Sequence, residues 1–164
     1  TQDTAGIKEV GIIDCIRDVL KAVDILAKQY KIYLDLNEPE GLANMKVSNG
    51  PFLEQILFNI LLNGIQQIEI ENLERWTGRI DARLSYENNQ ELPIKIRIKD
   101  NGPGIHKEYF ERIFDILFST KPDGTGLGLH LCRDMIQPLG GRIDVEESVI
   151  FGGTTFLIEL PDKG

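Results

Sequence analysis

Two asparagines, Asn59 and Asn63, stand one helical turn apart in an otherwise apolar stretch, and a carboxylate, Asp100, comes after the alternating run Ile94, Ile96, Ile98. Side-chain amide oxygens suit a hard cation such as Mg²⁺, which prefers oxygen ligands and keeps water and phosphate in its shell. The period of two along a strand puts Asp100 on the apolar face, so a carboxylate is aimed at the core and needs a partner. Asn101-Gly102-Pro103-Gly104 directly after it supplies a tight turn whose glycines let another molecule approach the backbone. That combination suits a polar ring carrying an exocyclic amine. Gly124-Thr125-Gly126-Leu127-Gly128-Leu129 then opens a helix, and glycines ahead of a helix N-terminus offer backbone N–H groups to phosphate oxygens. Thr154 shares a face with Phe156, Ile158 and Leu160, so a hydroxyl also points inward at a strand end and can hold one ligand together with Asp100.

Each feature also has a purely structural reading. Asp100 can open an Asp-Asn-Gly turn and cap the helix after it. Asn59 and Asn63 can find hydrogen bonds within the core, since buried amides without partners are costly. The glycines can form a flexible loop. They do not form a dinucleotide fingerprint, which needs G-x-G-x-x-G directly after a strand, nor a Walker loop, for which no G-x-x-x-x-G-K-[ST] occurs.

These residues must be positioned by a small set of elements. Ile13, Ile16, Leu20, Val23 and Ala27 recur at helical spacing, and Ile32, Leu34 and Leu36 alternate, giving a helix and then a strand. An extended piece over Leu42 to Val47 leads through Asn49-Gly50-Pro51 into a helix from about Phe52 to Ile68. Its apolar residues cover more than half the circumference, and Gln55, Asn59, Asn63 and Gln66 form a narrow amide stripe. Glu69 to Gly78 extends this helix or forms a loop. Ile80/Ala82/Leu84/Tyr86 and Leu92/Ile94/Ile96/Ile98 read as a hairpin through Asn88-Asn89, each strand with one wet face. Beyond them come a helix around His106 to Ile113, a helix from Leu127 to Gln137 ended by Pro138, and strands near Arg142 to Glu147 and Thr154 to Leu160. The order predicts an α/β (α+β) two-layer sandwich: a mixed, mostly antiparallel sheet with helices on one face.

Composition narrows the function. A chain of 164 residues, 41% hydrophobic, reads as a single domain over 1–164 with one core. The formal net charge of -8, with 18 scattered Lys and Arg, disfavours nucleic acid and points to a small polyanion. Cys15 and Cys132 have neither metal-ligand nor disulfide spacing, which fits a reducing, cytoplasmic setting. No run approaches the roughly 18 apolar residues of a membrane span, and Thr1 to Glu9 lacks the regions of a signal peptide. His106 reads as an exposed residue at a helix start and His130 as a helix-surface residue. Glu146-Glu147 reads as a strand edge rather than a metal site.

Four patches in one order, Asn59…Asn63, Asp100-x-Gly102-x-Gly104, Gly124-Thr-Gly-Leu-Gly-Leu and Gly153-Thr154-Thr155-Phe156, resemble the nucleotide-binding boxes of the histidine kinase, gyrase, heat-shock-chaperone and MutL ATPase superfamily. The resemblance runs from about residue 10 to 161 and is nearest in pattern to sensor histidine kinases, with Ser119-Thr120-Lys121 before the glycine box looking like the short-lid type. It implies the Bergerat ATP-binding fold, with ATP and Mg²⁺ as ligands. Position by position it implies that Asp100 accepts the adenine amino group, Thr154 supports it through water, and Asn63 binds the Mg²⁺ bridging the phosphates, with Asn59 assisting as the catalytic side chain. Gly102 and Gly104 would belong to the adenine loop. Gly124, Thr125, Gly126, Leu127 and Gly128 would wrap the phosphates, Lys121 would reach the terminal one, and Ile105, Phe114 and Phe118 would line the lid or adenine side.

Three departures from the family pattern stand out. The phenylalanine box usually reads Phe-x-Pro-Phe and here reads Phe114-Asp115-Ile116-Leu117, Gln66 stands where a basic residue is common, and Phe151 replaces the first glycine of the last box.

The resemblance implies a protein-histidine kinase catalytic domain that passes the γ-phosphoryl group to a histidine on a separate dimerisation domain, and thence to a response regulator. Residues 1–10 would be the linker to that phosphoacceptor domain, and the full protein a homodimer, this domain making no membrane contact of its own even if the full protein is membrane-anchored. In hydrolysing relatives a glutamate activates water where Asn59 stands, and an amide cannot take that proton. That favours transfer over an ATPase; a serine kinase of the same superfamily, or a non-catalytic nucleotide sensor or docking module, are the other readings.

Overall fold

A computed structural model describes residues 8–70, 77–116, 118 and 128–163. The chain runs β1 (Glu9–Gly11), α1 (Ile12–Gln29), β2 (Ile32–Asn37), β3 (Lys46–Ser48), α2 (Gly50–Ile70), β4 (Gly78–Tyr86), β5 (Ile94–Asp100), α3 (Gly128–Ile136), β6 (Arg142–Val149) and β7 (Gly153–Leu160). Five strands form one mixed sheet in the order β2-β4-β5-β7-β6, in which only β2 and β4 pair in parallel. β1 and β3 make a separate antiparallel pair. α1 and α3 each pack against α2. The two-layer α/β sandwich expected from the element order is the fold observed.

The strand registers explain how the site is placed. Leu84, Ile96 and Ile158 lie across from one another, as do Ala82, Ile98 and Phe156, and all six are buried. The next inward step of β5 is Asp100, opposite Ile80. Parity alone therefore carries a carboxylate to the end of an apolar row, against the layer in which α2 buries Leu53, Ile56, Leu57, Ile60, Leu61 and Ile65.

Three local expectations change. Residues 106–113 form two short 3₁₀ turns, Lys107–Tyr109 and Arg112–Phe114, instead of one helix. His106 is extended (φ -63°, ψ 137°) and Asp115 is extended again (ψ 148°), so the segment between them is too short to repay helix nucleation. Leu42 to Val47 is extended only from Lys46; Met45 N–H donates to the Leu42 carbonyl oxygen in a turn (3.1 Å). The second face of β5 is not uniformly wet, because Lys95 is buried and paired with Glu159, whose other oxygen meets Arg142 at 3.3 Å. Farther along that face Arg97 spans Glu146 and Glu87. α2 continues through Ile70, residues 71–76 lie outside the described residues, and Gly78 opens β4.

Candidate functional site

Asp100 is 5% exposed. Its Oδ1 accepts the N–H of Gly102 at 2.9 Å and the N–H of Thr154 at 3.2 Å. The first contact is the turn that an Asp-Asn-Gly sequence predicts, and the second ties β7 to the end of β5. Oδ2 makes no hydrogen bond to another described residue, and no fully buried side-chain oxygen among them lacks a partner. Oδ2 therefore faces a space that solvent, or a ligand, can reach. Oδ1 meets the structural reading of Asp100, and Oδ2 leaves room for the functional one. Burial pushes this carboxyl up to about 6, against the two N–H donors that favour its charged form.

The loop after Asp100 is stitched to its neighbours. Asn101 accepts from the Arg79 N–H (2.8 Å) and donates to the Thr77 carbonyl (2.8 Å), fixing the turn to β4. Phe151 N–H donates to the Pro103 carbonyl at 2.8 Å. Ile105 N–H donates to Ser148 Oγ at 2.7 Å. Two glycines make this approach possible. Gly104 has φ +78° and a side chain there would strike the Val149 carbonyl; Gly153 has φ +101° and a side chain would strike the carbonyl of Asp100.

α2 reaches the same place from the helical layer. Gly64 lies against Asp100, where a Cβ would sit 3.8 Å from Oδ2, and Asn63 is the residue before it. Asn63 is half-buried and makes no hydrogen bond to another described residue. One turn earlier, Asn59 uses both ends of its amide: its Oδ1 accepts from Gln55 (2.8 Å) and its Nδ2 donates to the carbonyl of Gly128 (3.0 Å), the first residue of α3. Within the amide stripe, Gln55 and Asn59 thus brace α2 against α3, while Asn63 bonds to no other described residue. Gly128 places the leading N–H groups of α3, which have no intrahelical partner, at the end of that brace.

Phe114 is in the core, edge-on to Phe156 (centroids 6.3 Å apart) with the Arg133 guanidinium 4.1 Å over its ring. Phe118 packs on Tyr109 with Arg112 over it at 5.0 Å. Ile105 is half-buried against the core. Lys121, Gly124, Thr125, Gly126 and Leu127 lie outside the described residues. His106 is exposed beside Tyr109, and His130 sits 3.3 Å from Asp134 on α3. Glu146 pairs with Arg97, as expected of a strand edge. Cys15 and Cys132 are buried free thiols, both pushed up to about 12 by burial.

Ser148 was not visible from sequence. It sits opposite Thr154 in the β6–β7 pair, with the two hydroxyl oxygens 2.8 Å apart. The signal that could have found it is the hairpin register, but a bulge between Val145 and Glu147 shifts that register by one residue.

A polar ring with an exocyclic amine fits Asp100 Oδ2, and a cation that arrives with phosphates fits an open amide. No group of three His, Cys, Asp or Glu side chains among the described residues is arranged to hold a metal. No helix among them is long and apolar enough to cross a membrane.

The family model for the histidine kinase-, DNA gyrase B-, and HSP90-like ATPase matches residues 48–164. Similar curated proteins include the sensor histidine kinase ZraS of Salmonella typhimurium, 32% identical over 94% of this chain and 31% of its own, and the sensor protein TdiS of Thauera aromatica, 28% identical over 92% of this chain and 26% of its own. The chain thus spans about a quarter to a third of the length of these two relatives. Among solved structures, the catalytic domain of histidine kinase ThkA superposes with a TM-score of 0.74 at 25% identity, covering 96% of each chain. Full-length ShkA in complex with AMPPNP shares the fold, with a TM-score of 0.78 at 24% identity over 94% of this chain and 30% of that one. The chain belongs to the histidine kinase-, DNA gyrase B- and HSP90-like ATPase family, as a histidine kinase ATPase domain of the kind found in the sensor kinases of two-component systems.

Proposed function

We propose that the chain binds Mg-ATP beside Asp100 and that the γ-phosphoryl group passes from there to a histidine on a separate dimerisation domain, then to an aspartate of a response regulator. The observation that carries this reading is the division of labour at Asp100: Oδ1 is held by two backbone N–H groups and Oδ2 is left for a ligand donor. When bound, the nucleotide supplies the phosphoryl group and Mg²⁺ supplies charge neutralisation. The chain's own task is positioning, which is most of what phosphoryl transfer asks of a protein. Asp100 would hold the amine, with Thr154 beside it and Gly102, Gly104 and Ile105 shaping that end. Asn63 would hold the cation, and Gly124 to Gly128 with Lys121 would receive the phosphates.

Asn59 supports transfer over hydrolysis. Its amide is committed to Gln55 and Gly128, and an amide takes no proton from water at neutral pH. Its part in transfer would be to keep α3 and the phosphate-binding segment in register with Asn63. The partners in this reading are the histidine-bearing helical domain of the same protein, within a homodimer, and a cytoplasmic response regulator.

Mixing the chain with γ-labelled ATP, Mg²⁺ and the helical domain of the same protein tests this. Acid-labile, base-stable label on that domain, lost when its histidine becomes glutamine, is the expected result. Release of inorganic phosphate without labelling would overturn it.

A further inference from the structure

Ser148 Oγ has three polar neighbours: the Ile105 N–H at 2.7 Å, the Gly153 carbonyl at 3.2 Å and Thr154 Oγ1 at 2.8 Å. A serine hydroxyl has one proton and two lone pairs. The Ile105 N–H can only donate and the Gly153 carbonyl can only accept, so between them they take one lone pair and the proton. The remaining lone pair faces Thr154, which must then be the donor. Thr154 has spent its proton on Ser148, and its oxygen keeps only lone pairs for anything bound beside it.

Lys99 pairs with Thr155 across β5 and β7, so one step further along the antiparallel pair Asp100 and Thr154 stand opposite one another on the inward face. The Thr154 N–H already touches Asp100 Oδ1. An ionised carboxylate is also acceptor-only. Two acceptors on facing residues of the β5–β7 pair favour a group with two N–H bonds and repel a carbonyl oxygen. A 6-amino purine presents the first and a 6-oxo purine the second.

Resting on the nucleotide reading above, we propose that Ser148 is a positioning residue that sets nucleotide specificity, by holding Thr154 Oγ1 as an acceptor next to Asp100 and so selecting a 6-amino over a 6-oxo purine. Ser148 itself touches no ligand; it acts through the orientation of the Thr154 hydroxyl.

The test is calorimetric binding of ATP and of ITP, each with Mg²⁺, to the wild type and to Ser148→Ala and Ser148→Thr. ITP replaces the 6-amino group by a 6-oxo group. Ser148→Ala frees the Thr154 proton to donate to that oxygen, so the preference for ATP over ITP falls about tenfold, the scale of one hydrogen bond to a ligand. Ser148→Thr restores the hydroxyl and keeps the wild-type ratio. Ser148→Val against Ser148→Thr repeats the comparison with β-branched residues that suit a strand, so the outcome does not hinge on the folding of the alanine variant. A structural role alone would weaken both nucleotides in proportion, and an unchanged ratio in the Ala and Val variants overturns the proposal. Failure of the folded wild type to bind either nucleotide is a different result: it overturns the nucleotide reading, and this proposal with it.

Discussion

The backbone N–H of Thr154 reaches across from β7 to Asp100 Oδ1 at 3.2 Å, and that one contact fixes which oxygen of the carboxylate is structural. With Gly102 on the same oxygen at 2.9 Å, Oδ2 is the atom without a described partner and, in the proposed reading, the one that meets the ligand. The same burial that orients the group makes its charge expensive.

Asp100→Asn should therefore separate stability from binding. The carboxyl titrates at about 6 in the fold against an ordinary 3.8. A raised carboxyl favours the protonated form in the folded state, so its cost is fully present above about pH 6 and disappears as pH falls below 4. Asn can accept the same two N–H bonds without the charge. Urea denaturation should find the variant more stable than wild type at pH 7, by up to roughly 3 kcal/mol, with the gap closing toward pH 4. A variant less stable at pH 7 would contradict the assigned cost.

Affinity for ATP should fall on the acid side for the same reason. In the proposed reading the ionised carboxylate is the acceptor, so binding should weaken as pH drops through about 6 and be about tenfold weaker at pH 5 than the neutral-pH plateau. Calorimetry between pH 5 and 8 reads this directly, and a flat profile would remove Asp100 from the recognition step.

Asn63→Ala should leave the fold intact and uncouple the metal. The side chain is half-buried and bonds to no other described residue, so stability should move by less than about 0.5 kcal/mol. ATP binding in EDTA should be unchanged while the gain on adding Mg²⁺ is lost. Asn59→Ala should instead cost about 1–2 kcal/mol in denaturation, because its hydrogen bonds to Gln55 and to Gly128 of α3 go with it.

Phe151→Gly should stabilise the protein. Phe151 sits at φ +63°, 73% exposed, in the left-handed region that a bulky residue seldom occupies. Its N–H bond to Pro103 survives the change. A gain of about 1 kcal/mol, or roughly 3 °C in Tm, is expected in a thermal melt. A lower Tm would mean that the exposed ring has a partner within the chain.

How much of the fold and the site was legible in the sequence depends on whether a residue is placed by periodicity or by register. Asp100 was legible because Ile94, Ile96 and Ile98 set a parity that its own side chain obeys. The amide stripe of α2 was legible from helical spacing, but its division was not, since Gln55 and Gly128 claim Asn59, the latter through a contact 69 residues away. Nor does spacing announce the contacts of Phe114, whose ring meets Phe156 edge-on with the Arg133 guanidinium over it. The segment from His106 to Ile113 carries helix-like spacing, yet extended residues at both ends leave room only for 3₁₀ turns. Ser148 was hidden by the bulge at Glu146, which no periodicity announces.

Isothermal titration of ATP, with and without Mg²⁺, into wild type and Asp100→Asn measures directly whether Asp100 recognises the nucleotide. Binding by wild type, strengthened by Mg²⁺ and lost in a folded Asp100→Asn variant, is the predicted result. Equal binding by the two proteins would place the adenine elsewhere and contradict recognition by Asp100.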